Sequence, residues 1–124
     1  MVPGTVTELL VGVIRDPAHG FVMTLAAGGV LTELMQDSAS FLLPGSEADI
    51  ERALTGLRVC RLLDGYRGAQ PADKAAVIRA IRSIEAYVVD HADTLEEIEI
   101  NPLLCTHNDA IAADALIRCK ETRS

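Results

Sequence analysis

Glu97-Ile98-Glu99-Ile100-Asn101-Pro102-Leu103 is the stretch that decides the fold of this chain, read together with Ala113-Asp114-Ala115 downstream. In an extended strand, successive side chains point to opposite faces. The two glutamates and Asn101 therefore share one face, and the two isoleucines share the other. This alternation predicts a strand with a polar face and an apolar face.

The next apolar run, Ala110–Ile117, also predicts a strand, and the segment 106–109 between the two runs is rich in turn-forming residues. A hairpin with its turn centred between His107 and Asn108 pairs residues whose numbers add to 215, so Asn101 is expected directly opposite Asp114. Directly opposed residues of antiparallel strands have Cβ atoms about 5 Å apart and share a face.

An amide oxygen, a carboxylate and a second carboxylate nearby are a plausible ligand set for Mg²⁺. The ion prefers oxygen ligands, takes one or two carboxylates from the protein, and completes its shell with water and phosphate. Asn101 and Asp114 are the candidate metal ligands, with Glu99 two residues away on the same face. The alternative is that Asn101 and Pro102 merely end a strand and that Asp114 is an exposed edge residue.

The composition indicates one globular domain over residues 1–124, because 49% of the 124 residues are hydrophobic and can form a core. A net charge of -7 argues against nucleic acid as a partner. The three cysteines have no CxxC spacing, and we expect reduced thiols in a cytoplasmic protein. We expect no membrane contact, since no apolar run approaches ~20 residues, and no targeting leader.

The first half of the chain predicts further strands. Glu8–Arg15 is apolar on both faces for most of its length, as a strand in a sheet covered on both sides would be, and it forms a hairpin with Phe21–Leu25. Gly12 inside it suggests a bulge or a place where another backbone or a ligand comes close, and a simple packing glycine is the alternative. Val30–Leu34 and Ser40–Leu43 are further strand candidates.

Two helical regions follow, so the expected fold class is α+β, an antiparallel sheet with helices packed on one face. Ser46 with Asp49 resembles a capping box and predicts a helix start; this helical region is expected to end at 65–68. A second helix is predicted from Pro71, which would lie in its first turn, to about Asp90. The apolar stripe of the first helix is Ile50, Ala53, Leu54 and Leu57; that of the second is Val77, Ile81, Ile84 and Val88, with Arg79 and Arg82 opposite and Glu85 on the flank.

The quoted stretch, followed by Ala113-Asp114-Ala115, resembles the carboxyl-terminal half of the ATP-grasp domain in nucleoside-diphosphate-forming acyl-CoA synthetases, which are related to succinyl-CoA synthetase β subunits. The resemblance implies that Asn101 and Asp114 ligate the Mg²⁺ that accompanies ATP or ADP, and that Glu99 faces the transferring phosphoryl group as the catalytic carboxylate. It also covers Gly28, Gly29 and Arg67, which are candidate nucleotide contacts. The alternatives are an ordinary turn for the two glycines, and for Arg67 a partner contact or an exposed loop arginine.

The implied parent reaction interconverts acyl-CoA, ADP and phosphate with a carboxylic acid, CoA and ATP through a phosphohistidine. The implied partner is a CoA-binding subunit or domain that carries this histidine. The lysines that hold the ATP phosphates and the CoA-binding part have no match in the chain, so the chain alone is expected to be inactive. A non-catalytic interaction domain and the ATP-grasp-like portion of a fused protein acyltransferase are the alternatives, and the acyl substrate is not encoded in the motif.

Overall fold

The fold is a single antiparallel sheet with helices packed on one face, as the sequence predicts. A computed structural model describes residues 4–28, 37–65, 68 and 70–120. In this part of the chain the strands are β1 (Thr5–Asp16), β2 (Gly20–Ala27), β3 (Ser38–Leu43), β4 (Leu95–Thr106), β5 (Ala110–Ala112) and β6 (Ala115–Cys119). The helices are α1 (Glu47–Gly56), α2 (Cys60–Leu63) and α3 (Lys74–Asp90).

The strand order is β3-β2-β1-β4-β5, and β6 also pairs with β4. All of these pairings are antiparallel. The predicted hairpin of the first two strands is confirmed, with Asp16 paired to Gly20 across the turn. The strand predicted at Ser40–Leu43 is also present, whereas the one predicted at 30–34 lies outside the described residues.

The core lies between the helices and one face of the sheet, because every second residue of the central strands is apolar and points there. Leu9, Val11 and Val13 of β1 are fully buried, and they pack in one cluster with buried residues of all three helices. The opposite face of the described sheet has no helix over it, and Ile14 is 58% exposed there. Within the described residues, β1 is therefore covered on one face only and differs from the predicted strand of a sheet covered on both sides.

The predicted start of the first helix and the predicted end of the second helix at about Asp90 are confirmed. Ser46 and Asp49 form the reciprocal capping box of α1, and all four predicted stripe residues of this helix are buried. The region that follows is not one helix, because α1 ends at Gly56 and α2 is a separate short turn of helix.

Helix α3 begins three residues later than predicted, because Asp73 is its N-cap and accepts a hydrogen bond from the Ala76 amide. Pro71 therefore lies before the helix rather than in its first turn. Glu85 is only 7% exposed, and its carboxylate accepts a 2.7 Å hydrogen bond from the amide of Gly45. The flank of the apolar stripe, where the sequence places Glu85, is therefore buried, since the loop before α1 packs over it.

None of the helices in the described ranges has the length and apolar character needed to cross a membrane. The three cysteines are free, as expected; Cys60 and Cys105 are buried and Cys119 is exposed.

Candidate functional site

The predicted register of the last hairpin is confirmed. β4 pairs with β5 through Leu103 and Ala112, and with β6 through Ile100 and Ala115, and both pairs add to 215. The run predicted as one strand from Ala110 to Ile117 is instead interrupted at residues 113–114. The pairing continues on both sides of this interruption without a net slip.

Asn101 and Asp114 lie directly opposite each other at this interruption. The amide of Asn101 donates a 3.1 Å hydrogen bond to the carbonyl oxygen of Asp114, and the amide of Ala113 donates a 3.0 Å bond to the carbonyl of Pro102. Both Asn101 and Asp114 are exposed, and the Asn101–Pro102 peptide bond is cis. The backbone therefore brings together the two residues that the sequence proposes as metal ligands.

A β-bulge lies at the same point on the other side of β4. Leu9 pairs with Leu103 and Val11 pairs with Ile100, so two residues of β4 oppose the single residue Leu10 of β1. The extra residue shifts the alternation of side chains along β4 by one position. The buried residues Ile100 and Leu103 are therefore three positions apart instead of two, and Asn101 between them is exposed. Bulges often lie beside functional sites because they redirect side chains.

Glu97 and Glu99 lie on the face of the sheet that no described helix covers, and strand alternation puts Asn101 on the same face. Arg118 of β6 pairs with Glu97, with its Nε 3.1 Å from Oε1. Within the described residues, the side chains of Glu99, Asn101 and Asp114 have no hydrogen bond or ion pair. These three oxygen-bearing groups are therefore available to a ligand.

A hollow of about 290 Å³ lies on the uncovered face, and Glu99 is one of the residues that line it. Its walls combine apolar side chains of the first two strands with the carboxylates of β4. The lining residues are Leu10, Gly12, Ile14, Val22, Thr24, Glu97, Ile98 and Glu99. The contribution of β2 to this hollow was not predicted from the sequence, although the apolar outer face of β1 was a signal for it.

The donor set fits a hydrated Mg²⁺ better than a metal held by the protein alone. In the described ranges, no group of three His, Cys, Asp or Glu side chains is suited to hold a metal ion. A cation between Asn101 and Asp114 would depend on the amide oxygen and on water or phosphate for the rest of its shell. That is the coordination Mg²⁺ usually has in nucleotide sites.

The remaining candidate nucleotide contacts are less well defined. Gly28 follows β2, and its amide donates a 2.9 Å hydrogen bond to the carbonyl oxygen of Glu8, so this N–H is already occupied. A Cβ atom at Gly28 would lie 3.0 Å from the Glu8 backbone, which explains the glycine by packing. Gly29 and Arg67 lie outside the described residues.

A second polar cluster lies in the helical layer. Asp64 Oδ1 is 3.1 Å from Nζ of Lys74, and this hydrogen bond raises the pKa of the lysine. The Cys60 thiol contacts the same carboxylate at 3.7 Å, and burial raises its pKa. A thiol that stays protonated is a poor nucleophile, so these contacts do not activate the Cys60 sulfur.

Comparison with protein families places the whole described fold in one group. A family model described as an ATP-grasp domain matches residues 1–119. The β subunit of acetate–CoA ligase (ADP-forming) II from Pyrococcus furiosus is 29% identical over 115 residues, which cover 91% of this chain and 49% of the relative. A trans-feruloyl-CoA synthase from an unknown prokaryotic organism is 34% identical over 98 residues, 79% of this chain and 14% of the relative.

Solved structures agree with these relatives. Dinucleotide-forming acetyl-coenzyme A synthetase 1 from Ca. Korarchaeum cryptofilum, in complex with coenzyme A and Mg-AMPPCP, superimposes with a TM-score of 0.87 at 30% identity. The match covers 97% of this chain and 55% of that protein's chain. The chain thus spans about half the length of the β subunit and of the solved chain that it matches.

Proposed function

The chain belongs to the ATP-grasp domain family, and we propose that it is the magnesium-nucleotide-binding part of an ADP-forming acyl-CoA synthetase. In that reaction an acyl-CoA, ADP and phosphate are interconverted with a carboxylic acid, CoA and ATP. The relatives include an ADP-forming acetate–CoA ligase β subunit, and the synthetase from Ca. Korarchaeum cryptofilum binds Mg-AMPPCP and coenzyme A. Both of these similarities support the proposal. The names of the relatives specify different acids, so the acyl group is left open.

The observation that carries the proposal is the opposition of Asn101 and Asp114 across the last hairpin. Glu99 lies on the same uncovered face, beside the hollow. An amide and a carboxylate that are exposed and without side-chain partners among the described residues match what a hydrated Mg²⁺ requires.

In the proposed site, Asn101 and Asp114 hold Mg²⁺, and Glu99 faces the phosphoryl group. When bound, the ion offsets negative charge on the phosphates, which matters because phosphoryl transfer depends mainly on positioning and electrostatics. The rigid sheet positions the three side chains, since β4 is paired on both sides. Gly28, Gly29 and Arg67 remain proposed nucleotide contacts, with Gly28 the weakest because its amide is already bonded.

The proposal includes a partner. A CoA-binding subunit or domain with a phosphohistidine would deliver the phosphoryl group to the uncovered face, and the assembly would work in the cytoplasm. Residues 1–124 would act as one domain of it. The phosphohistidine segment named for the Ca. Korarchaeum cryptofilum synthetase, which points towards its nucleotide-binding site, supports this arrangement.

Replacing Asp114 with alanine in the complete enzyme tests the site. We expect the Mg²⁺ concentration for half-maximal activity to rise about tenfold or more, a change of ~1.4 kcal/mol in metal binding, with an unchanged melting temperature. Asp90→Ala is the matched control, because it removes the same charge from an exposed position at the end of α3. Identical Mg²⁺ dependence in the wild type and both variants would exclude Asp114 as a ligand.

A further inference from the structure

Gly12 lies at the centre of a row of directly paired residues that crosses the uncovered face. On one side it pairs with Thr24, which pairs with Ser40. On the other side it pairs with Glu99, which pairs with Leu116. Gly12 is therefore the one position in this row without a side chain, and it separates a hydroxyl from the carboxylate proposed to face the phosphoryl group.

Among the described residues, nothing requires glycine at this position. Its φ lies outside the left-handed region, and within the described ranges a Cβ atom there would meet only Leu10 Cδ2, at an ordinary 3.8 Å. The β-bulge lies at Leu10, so Gly12 does not form it. Gly28 is different, because a Cβ atom there would lie 3.0 Å from the Glu8 backbone.

A glycine inside a central strand weakens the strand, because it adds conformational entropy to the unfolded chain and packs no side chain. When neither packing nor backbone conformation explains such a glycine, the close approach of a ligand or of another backbone remains, and a hollow beside the glycine favours a ligand. Gly12 lines the hollow, which is where that ligand would lie.

The missing side chain creates a slot. Val11 and Val13 are fully buried on the helix side, so a side chain at residue 12 would project into the hollow. Neighbouring strands are about 4.8 Å apart, so the backbones carrying Thr24 and Glu99 are roughly 10 Å apart, with only bare backbone between them. A chain of phosphates fits a slot of this width.

The wall opposite Glu99 can donate a hydrogen bond to such a group. Thr24 Oγ1 and Ser40 Oγ are 2.7 Å apart, and either hydroxyl can be the donor. When Ser40 donates to Thr24, the Thr24 proton is free for an oxygen atom in the hollow, which Thr24 lines. The slot thus has a hydroxyl donor on one wall and the candidate metal site beside the other.

We propose that the missing side chain of Gly12 forms the floor of the slot that receives the phosphate end of a magnesium nucleotide. The inference rests on the proposed function, and it assigns to β1 a part of the nucleotide site in addition to the β4 residues.

Gly12→Ala and Gly12→Val in the complete enzyme test this role by calorimetric titration with Mg-ADP and by thermal unfolding. We expect Gly12→Ala to melt no lower than the wild type and to bind Mg-ADP at least fivefold more weakly, and Gly12→Val to bind at least twentyfold more weakly. Gly56→Ala is the matched control, since a Cβ atom there has nothing within 4 Å and the residue lies in α1. It should bind Mg-ADP like the wild type.

Wild-type affinity for Mg-ADP in Gly12→Ala and in any Gly12→Val that folds would overturn the inference. If Asp114→Ala still raises the Mg²⁺ requirement, the proposed function survives that result. A wild-type enzyme that does not bind Mg-ADP overturns both. A clear fall in the melting temperature of Gly12→Ala would show that Gly12 is needed for packing, and it would also reject the inference. Such a fall is what we expect for Gly28→Ala.

Discussion

At the scale of single residues, the three cysteines have different chemistry because their burial differs. Cys105 is completely buried in β4, and loss of solvation raises the pKa of its thiol to about 12. Burial also raises the pKa of Cys60. Cys119 is exposed on β6. The reactive form of a thiol is the thiolate, so burial and a raised pKa protect Cys60 and Cys105, whereas Cys119 is accessible to reagents.

This difference predicts selective thiol labelling. In the folded protein at pH 8, we expect one cysteine to react rapidly with a disulfide reagent, and Cys119→Ser should abolish the rapid phase. Raising the pH to 9 should not make Cys105 reactive, because the pKa of its thiol in the folded protein lies well above 9. All three thiols should react after denaturation, which serves as the control. Two or more rapid thiols in the native protein would contradict the burial of Cys60 and Cys105.

At the scale of elements, the connection between the sheet and the helical layer depends on a buried carboxylate. Glu85 of α3 accepts the amide hydrogen of Gly45, in the loop between β3 and α1. The capping box of Ser46 and Asp49 starts α1 one residue later. The backbone hydrogen bond from Ser46 lowers the pKa of Asp49, so this cap remains ionised at neutral pH. Together these bonds hold the start of α1 against α3.

Glu85→Ala should therefore destabilise the protein. Hydrogen bonds to charged groups contribute roughly 1.5 to 3 kcal/mol, and we expect a loss of this size in the free energy of unfolding, measured with urea. Glu51→Ala, on the exposed face of α1, should change it by no more than ~0.5 kcal/mol. Glu85→Gln keeps an acceptor oxygen and should lose less than Glu85→Ala. Equal stability of the alanine variants at 51 and 85 would show that the bond to Gly45 contributes nothing.

At the scale of the whole molecule, the described sheet is covered on one face only. Ile14 and Leu42 are more than half exposed on strands that otherwise bury their inner side chains. The uncovered face also carries the hollow and Glu99. A nucleotide bound there would be contacted from one side by this chain, and its other side would need further protein.

The isolated chain is consequently expected to fold without being active. Its core is formed within the chain, so circular dichroism should show cooperative unfolding. With Mg²⁺, ADP, phosphate and acetyl-CoA it should produce no ATP, because in the proposed assembly a partner subunit or domain would supply the CoA-binding part and the phosphohistidine. The complete enzyme assayed in parallel is the positive control. Measurable ATP formation by the 124-residue chain alone would refute this prediction.

Sequence by itself determined the features that depend on local periodicity and turn chemistry. Because side chains alternate along a strand, Glu97 and Glu99 could be assigned to one face of β4. The position of the turn after residue 106 set the pairing register, which places Asn101 opposite Asp114. The capping box at Ser46 was also readable, because it depends on residues three positions apart. The metal and catalytic roles of these residues remain predictions.

Only the tertiary structure decided the features that arise between distant segments. The bulge opposite Leu10 comes from the pairing of β1 with β4, about ninety residues apart, and no local pattern encodes its position. The uncovered face of β1 could not be read from its sequence, because apolar residues on both sides of a strand do not say which side the helices will cover. The burial of Glu85 could not be read from the sequence either, because the loop that contacts this residue lies forty residues earlier in the chain.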